Sequence, residues 1–126
     1  MTSTPDPGAA APQLAVFSAA DVARRRPTGP QADIVVTMTS TDRRFETGFY
    51  QVGAEHEEYV GGGYANDEFC YILTGAVVLT AADGRVATLG PGDSVSIPRG
   101  WLGKWDSDGY TKFWVIYHAH PQPARR

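Results

Sequence analysis

From Ala32 onward, short runs of β-branched and aromatic residues are separated by Gly, Pro and Asp-Gly breaks. Runs of this length, bounded by turn residues, are typical of strands in an all-β fold. The pattern predicts eight strands, at residues 34–39, 45–52, 57–60, 68–73, 76–80, 85–89, 94–97 and 111–118. Because exposed strand edges favour aggregation, we expect so many short strands to close into a barrel or a jelly-roll sandwich.

Two turns and one helix accompany these strands. The pair Asp83-Gly84 predicts a two-residue hairpin turn, whose central positions both need positive φ, and residues 90–93 (Gly-Pro-Gly-Asp) predict a chain reversal. Ser18, followed three residues later by Asp21, resembles a capping box, and Pro27 would end the helix after about two turns. We therefore expect one short helix ahead of the strands.

The two ends of the chain lack any buried periodicity. Residues 1–13 are rich in Thr, Ser, Pro and Ala, and residues 121–126 resemble them. We expect flexible tails on either side of a single domain at residues 14–120. A chain of 126 residues has the length of one domain and is too short for two large ones.

Charge and cysteine content narrow the possible partners. The formal net charge is -3 at pH 7, so the surface as a whole has no positive excess to attract nucleic acid or anionic lipid. The N-terminus shows neither the basic start nor the apolar run of a signal peptide, and the single cysteine, Cys70, cannot form an internal disulfide. We expect a cytoplasmic protein with no nucleic-acid or membrane partner.

Two segments resemble the paired motifs of the cupin superfamily. In the second motif, Gly92 is followed after five residues by residues 98–100 (Pro-Arg-Gly), and Gly103 stands where cupins usually place a metal-binding His. In the first motif, Glu68 and Gly75 keep the family spacing, but residues 61–64 (Gly-Gly-Gly-Tyr) replace the usual His-x-His. Of the four usual metal ligands only Glu68 remains, so we expect no metal and no other cofactor.

A narrower resemblance covers roughly residues 45–117. The run 67–75, with Gly-x-Tyr at 48–50 and Gly-Lys-Trp at 103–105, is similar to single-domain cupins of domain of unknown function 861 (DUF861), relatives of the ethanolamine-utilisation cupin and of the ureidoglycine aminohydrolase cupin domains. The resemblance implies a small RmlC-like barrel, also called a double-stranded β-helix or jelly roll, which is often a dimer. It limits activity only loosely, because one fold hosts many functions.

Glu68 is the candidate catalytic residue. Strand alternation places Glu68, Cys70 and Ile72 on one face, and in the family pattern that face points into the barrel. A carboxylate there is desolvated unless it is partnered, which would raise its pKa toward the range of general acid or base catalysis. The alternative is a Glu held by a Tyr hydroxyl, a Trp N–H or Lys104 that only fixes the barrel, and both interpretations stay open.

Aromatic residues are numerous enough to wall a pocket for a small organic molecule. Trp105 is expected inside the barrel and Lys104 outside, and Cys70 is expected to be a buried, unreactive thiol. Trp114 is expected in the core. The predicted substrate-pocket residues are Tyr50, Tyr64, Cys70, Trp101 and Trp105.

The three histidines include one pair, His118 and His120, whose alternation would place both rings on one face of a strand and leaves metal binding open as the alternative. His56 lies among acidic residues and is expected to face solvent. His118 and His120 alternate beside the C-terminal tail, where a surface pair is expected.

Three functions remain open at this point. The first is a metal-independent cupin that binds a small polar metabolite, with Glu68 as acid or base. The second is a metal-dependent enzyme resembling ureidoglycine aminohydrolase, and the third is a non-catalytic binding or regulatory dimer. A homodimer is expected, with residues 45–52 and 57–60 as edge strands at the interface, whereas neither the substrate nor the presence of catalysis follows from the residues.

Overall fold

The computed structural model describes residues 11–24 and 31–124 and shows an antiparallel β-fold with one short helix. The helix, α1, spans Ala19–Arg24. The strands are β1 (Asp33–Thr39), β2 (Phe45–Val52), β3 (Glu55–Tyr59), β4 (Asp67–Ala81), β5 (Val86–Leu89), β6 (Ser94–Ile97) and β7 (Gly103–Tyr117). The predicted all-β class with one N-terminal helix is confirmed.

The helix begins as the capping pattern predicts. Asp21 donates its backbone N–H to Ser18 Oγ at 3.1 Å, and Ser18 donates its own N–H to Asp21 Oδ2 at 3.0 Å. This reciprocal pair satisfies donors that the first turn of a helix leaves free. The predicted stop at Pro27 and most of the predicted N-terminal tail lie outside the described residues.

Two 15-residue strands, β4 and β7, run through the whole fold and pair with each other. Their first and last portions take different partners: β7 also pairs with β2 and β3, and β4 also pairs with β5 and β6. The register between β4 and β7 shifts after Ile72 and again after Ala76. Bulges of this kind bend a strand, so strands can close around a common interior.

Within the described residues there are seven strands instead of the predicted eight. Residues 68–73 and 76–80 belong to one strand, because Gly75 (φ 78°) pairs with Tyr110 in the ladder and does not form a turn. The last strand begins at Gly103 instead of residue 111. Its polar stretch pairs with β3 and β4, and Ser107 Oγ donates to the Ala76 carbonyl and accepts from the Gly109 N–H.

The predicted two-residue turn at Asp83-Gly84 is wrong in type. Ala81 N–H donates to the Arg85 carbonyl, and Gly84 N–H donates to the Ala81 carbonyl, so the loop contains three residues, 82–84. Only Gly84 in this loop has positive φ, at 90°. A turn followed by a left-handed glycine is the usual three-residue hairpin.

Alternation along β4 separates the core from the surface. Cys70 and Ile72 are completely buried, whereas Phe69 and Tyr71 on the opposite face are exposed. Trp105 is buried and Lys104 is exposed, which confirms the orientation expected from the sequence. The expected edge position of residues 45–52 is wrong, because β2 lies between β1 and β7.

No helix within the described residues has the length and apolar character needed to cross a bilayer.

Candidate functional site

A cavity of about 400 Å³ lies inside the fold, between the face of β4 and β7 and the residues of β2 and β3. Its wall combines apolar residues with an unusual number of ionisable ones. The polar and charged wall residues are Glu46, Tyr50, Glu55, Tyr59, Tyr64, Glu68, Tyr110, Lys112 and His118. Four tyrosines and three glutamates therefore surround one space.

Glu68 lies at the centre of the first polar cluster and is 7% exposed. Its Oε1 accepts a hydrogen bond from the Tyr64 hydroxyl at 2.8 Å. Its Oε2 accepts from Cys70 Sγ at 2.7 Å and from Lys112 Nζ at 2.7 Å. Three donors from three parts of the chain thus converge on one buried carboxylate, as burial of a charge requires.

Lys112 supplies the positive charge of this cluster. Its Nζ lies 4.8 Å from the ring centroid of Trp105 and 5.3 Å from that of Tyr50, so the ammonium also contacts aromatic faces. Burial opposes the charged form, but the interactions with Cys70 and Glu68 outweigh burial and raise the pKa of Lys112. The side chain is therefore a fixed ammonium at neutral pH and not a free amine nucleophile.

The thiol and the hydroxyl around Glu68 are held in their protonated forms. Burial, followed by the charge of Glu68, raises the pKa of Tyr64. Burial is also the largest cause of the raised pKa of Cys70, which Lys112 only partly offsets. Both groups act as hydrogen-bond donors to Glu68, and Cys70 is not activated as a nucleophile.

A second cluster centres on Glu55 of β3. The hydroxyls of Tyr50 and Tyr110 both donate to this carboxylate, one to each oxygen. Burial raises the pKa of both hydroxyls, and the hydrogen bond to Glu55 raises it further. Neutral hydroxyls thus bracket a carboxylate on the cavity wall.

A third cluster joins the start of β2 to the residue after β7. Glu46 is completely buried, and its two oxygens interact with Thr39 Oγ1 at 2.6 Å and His118 Nε2 at 2.7 Å. The expectation that His118 faces solvent is wrong, because its side chain is only 10% exposed. The chain end is drawn inward where His118 N–H donates to the Arg44 carbonyl, while His120 is exposed as expected.

The structure brings together only part of the predicted pocket. Tyr50, Tyr64 and the candidate acid Glu68 lie on the cavity wall. Cys70 and Trp105 are buried behind the wall, where they contact Glu68 and Lys112, respectively. Trp101 packs against Tyr59, with ring centroids 6.2 Å apart, and contributes to a separate depression on the molecule.

Several wall residues were missed from the sequence. Strand alternation does predict that Lys112, Trp114, Ile116 and His118 share a face, and all four line the cavity. Trp114 is buried as expected, and it also lines the cavity. Glu55 had no comparable signal, since its place depends on pairing between β3 and β7.

Comparison with known proteins identifies the fold. The profile of the EutQ-like cupin domain matches residues 58–112, a segment that contains Tyr64, Glu68 and Lys112. Over this segment the chain is similar to the EutQ-like cupin domain, and its antiparallel β-fold is that of a small cupin. No curated protein sequence shows a significant match to this chain.

Solved structures support the same fold. The EutQ protein of Clostridium difficile is 20% identical, with a TM-score of 0.57, and the match covers 70% of this chain and 68% of that one. A protein of unknown function from Rhizobium leguminosarum is 20% identical, with a TM-score of 0.62 and coverage of 87% and 99%. A DUF861-family protein of unknown function from Pseudomonas syringae is 22% identical, with a TM-score of 0.63 and coverage of 68% and 36%. Similarity at this level shows the shared fold.

The side chains of this protein do not fit the metal site that the cupin motifs imply. At Gly103, a Cβ would lie 2.5 Å from the ring of Trp101, so this position has no room for a ligand side chain. Lys112 Nζ lies where Glu68 would face a cation. Within the described ranges, no group of three or more His, Cys, Asp and Glu side chains is arranged to hold a metal ion.

Proposed function

We propose that this cupin binds a small polar metabolite in the Glu68 cavity, with Lys112 and not a metal ion as the cationic centre. The observation that carries the proposal is the buried Glu68–Lys112 pair on the wall of a cavity of about 400 Å³. Small-molecule sites commonly have volumes of roughly 300–1,000 Å³, with apolar walls and a few convergent polar groups. The cavity has this size and this composition.

Glu68 is the group in the cavity best suited to exchange a proton with a ligand. An ionised carboxylate has about four acceptor positions, and three of those on Glu68 are used by Tyr64, Cys70 and Lys112. The remaining acceptor position belongs to Oε1, which among the described residues accepts only from Tyr64. A ligand hydroxyl or amine that reaches Oε1 could donate a hydrogen bond or transfer its proton there.

A binding role without catalysis is the second candidate. It is favoured by the number of donors that Glu68 already satisfies, because structural ion pairs also collect such partners. The two candidates differ in what Glu68→Gln does. Glutamine keeps the shape of the side chain and accepts hydrogen bonds, but it cannot take a proton.

The test begins with untagged protein purified from cells under mild conditions. Small molecules released on denaturation are identified by mass spectrometry, and a panel of metabolites is screened for those that raise the melting temperature. The affinity and turnover of each bound compound are then measured for the native chain, Glu68→Gln and Glu58→Gln. Glu58 is the matched control, because it is an exposed glutamate on β3.

We expect Glu58→Gln to bind as the native chain does. Glu68→Gln should weaken binding by about tenfold, which corresponds to a charged hydrogen bond of roughly 1.4 kcal/mol. Turnover that disappears in Glu68→Gln supports the acid or base role, whereas binding without turnover in any variant supports the second candidate. Absence of any released compound and of any stabilising metabolite would contradict both.

A further inference from the structure

We propose that the cavity selects ligands rich in hydrogen-bond donors and excludes anions, with a primary amine preferred at the Glu55 end. This inference rests on the proposed function, since it specifies the chemistry of the molecule bound in the same cavity. It follows from the charges on the wall, from the acceptor atoms left without a donor, and from the aromatic faces around Glu55.

The charges leave the wall with a negative excess. Lys112 forms an ion pair with Glu68 and lies close enough to Glu55 to interact with that carboxylate as well. Glu55 has no ion-pair partner of its own among the described side chains, since its hydrogen bonds come from neutral tyrosine hydroxyls. Two carboxylates therefore share one ammonium, and a ligand carboxylate placed beside Glu55 would be repelled.

The hydrogen bonds already formed on the cavity wall also favour a ligand rich in donors. The hydroxyls of Tyr50, Tyr64 and Tyr110 are already spent as donors to Glu55 and Glu68. Each of these carboxylates still has acceptor capacity, because Glu55 receives two hydrogen bonds and Glu68 three. The unspent donors are the N–H groups of Lys112 beyond the one given to Glu68 and the hydroxyl of Tyr59. With the tyrosine oxygens counted as acceptors, the wall offers a ligand more acceptors than donors.

His118 adds an independent observation. The carboxylate of Glu46 only accepts, so His118 Nε2 carries the proton of their 2.7 Å hydrogen bond. The other ring nitrogen, Nδ1, is buried and has no hydrogen bond to any described residue, although the side chain is nine-tenths buried and lies on the cavity wall. In the neutral ring Nδ1 is an acceptor, and buried acceptors are seldom left without a donor.

Aromatic faces favour a cation at one end of the cavity. The rings of Tyr50 and Tyr110 have centroids 5.8 Å apart, and both hydroxyls point to Glu55. A cation close to these faces is attracted by the ring electrons as well as by the carboxylate. Lys112 Nζ, 5.3 and 6.0 Å from the two centroids, already makes use of this environment.

A matched series of three linear probes tests the inference. The probes are 5-aminopentan-1-ol, pentane-1,5-diol and 5-hydroxypentanoate, which share a hydroxyl end and a chain length but end in a cation, a neutral donor and an anion. Dissociation constants are measured by NMR titration of isotope-labelled protein, with the shifted amides mapped to the cavity. Glu55→Gln tests the amine position, and Glu58→Gln, at an exposed glutamate on the same strand, is the control.

We expect the amine to bind about tenfold more tightly than the anion, with the diol between them. Glu55→Gln should remove the preference for amine over diol and leave diol binding within about twofold, while Glu58→Gln should change neither. Equal or tighter binding of the anion, or an unchanged amine preference in Glu55→Gln, would overturn the inference. Cavity binding of the anion would do so while leaving the proposed function intact, whereas failure of all three probes to reach the cavity would count against both.

Discussion

Replacing Lys112 with methionine removes the only ammonium of the Glu68 cluster. Lys112 Nζ lies 2.7 Å from Glu68 Oε2, and the two side chains are 10% and 5% exposed. Methionine retains much of the apolar stem but leaves Glu68 as a buried carboxylate with neutral donors. Removal of one partner from a buried ion pair costs roughly 3–5 kcal/mol. Because Tyr64 and Cys70 still donate to Glu68, we expect the lower end, a loss of about 3 kcal/mol.

The free energy of unfolding is measured by urea denaturation at neutral pH, with tryptophan fluorescence and circular dichroism as independent probes. Lys104→Met is the matched control, because Lys104 is exposed on the same strand, and its effect should stay within about 0.5 kcal/mol.

The double variant Glu68→Gln/Lys112→Met completes a double-mutant cycle. Since it leaves no unpaired charge, its loss of unfolding free energy should be smaller than the sum of the two single-variant losses by about 2 kcal/mol. A loss under about 1 kcal/mol in Lys112→Met, or additive single effects, would refute the description of Glu68 and Lys112 as a coupled buried pair.

Three further predictions concern the tyrosines, one close contact and the outer surface. Burial raises the pKa values of the four cavity tyrosines above 10.0, that of Tyr59 to about 12. The stability that these neutral hydroxyls contribute is therefore complete below pH 10 and is lost as pH rises toward the pKa values of the folded state. A near-ultraviolet titration in which every tyrosine ionises near pH 10 without unfolding would contradict this. Gly48→Ala should lower the free energy of unfolding, measured by urea denaturation, by about 2 kcal/mol or more, because a Cβ there would lie 2.5 Å from the Trp114 ring. The control Gly62→Ala should have little effect, because the space around Gly62 is open. We also expect a dimer through the outer face of β4 near Phe69, which is 40% exposed beside other large apolar side chains. Phe69→Lys should reduce the mass measured by sedimentation to that of one chain. A native chain that already sediments as a monomer would refute the dimer.

The parts of the fold that depend on local patterns could be predicted from the sequence. Alternation along β4 gave the correct faces of Glu68, Cys70 and Ile72, because the side-chain period of a strand is a local property. The capping box at Ser18 depends on neighbours within one turn. The merging of two predicted strands across Gly75 could not be foreseen, because it depends on the pairing of Gly75 with Tyr110 of β7, between the two register shifts.

The candidate site, too, could be predicted from the sequence only where it depends on local patterns. Glu68 could be placed inside the barrel from its own strand, but its partner Lys112 lies 44 residues away on another strand. The Glu55 cluster depends on the simultaneous pairing of β2 and β3 with β7, which brings Tyr50 and Tyr110 to one carboxylate. His118 was misplaced because a short sequence beside a tail gave no indication that the chain end is held against β2 and the segment before β4.

A crystal structure of the untagged protein as isolated from cells would show, by its electron density, what occupies the Glu68 cavity. We expect density for a small organic molecule within hydrogen-bonding distance of Glu68 or Glu55, with Lys112 Nζ still bonded to Glu68. Density for an ion coordinated by Glu68, with Lys112 displaced, would contradict it.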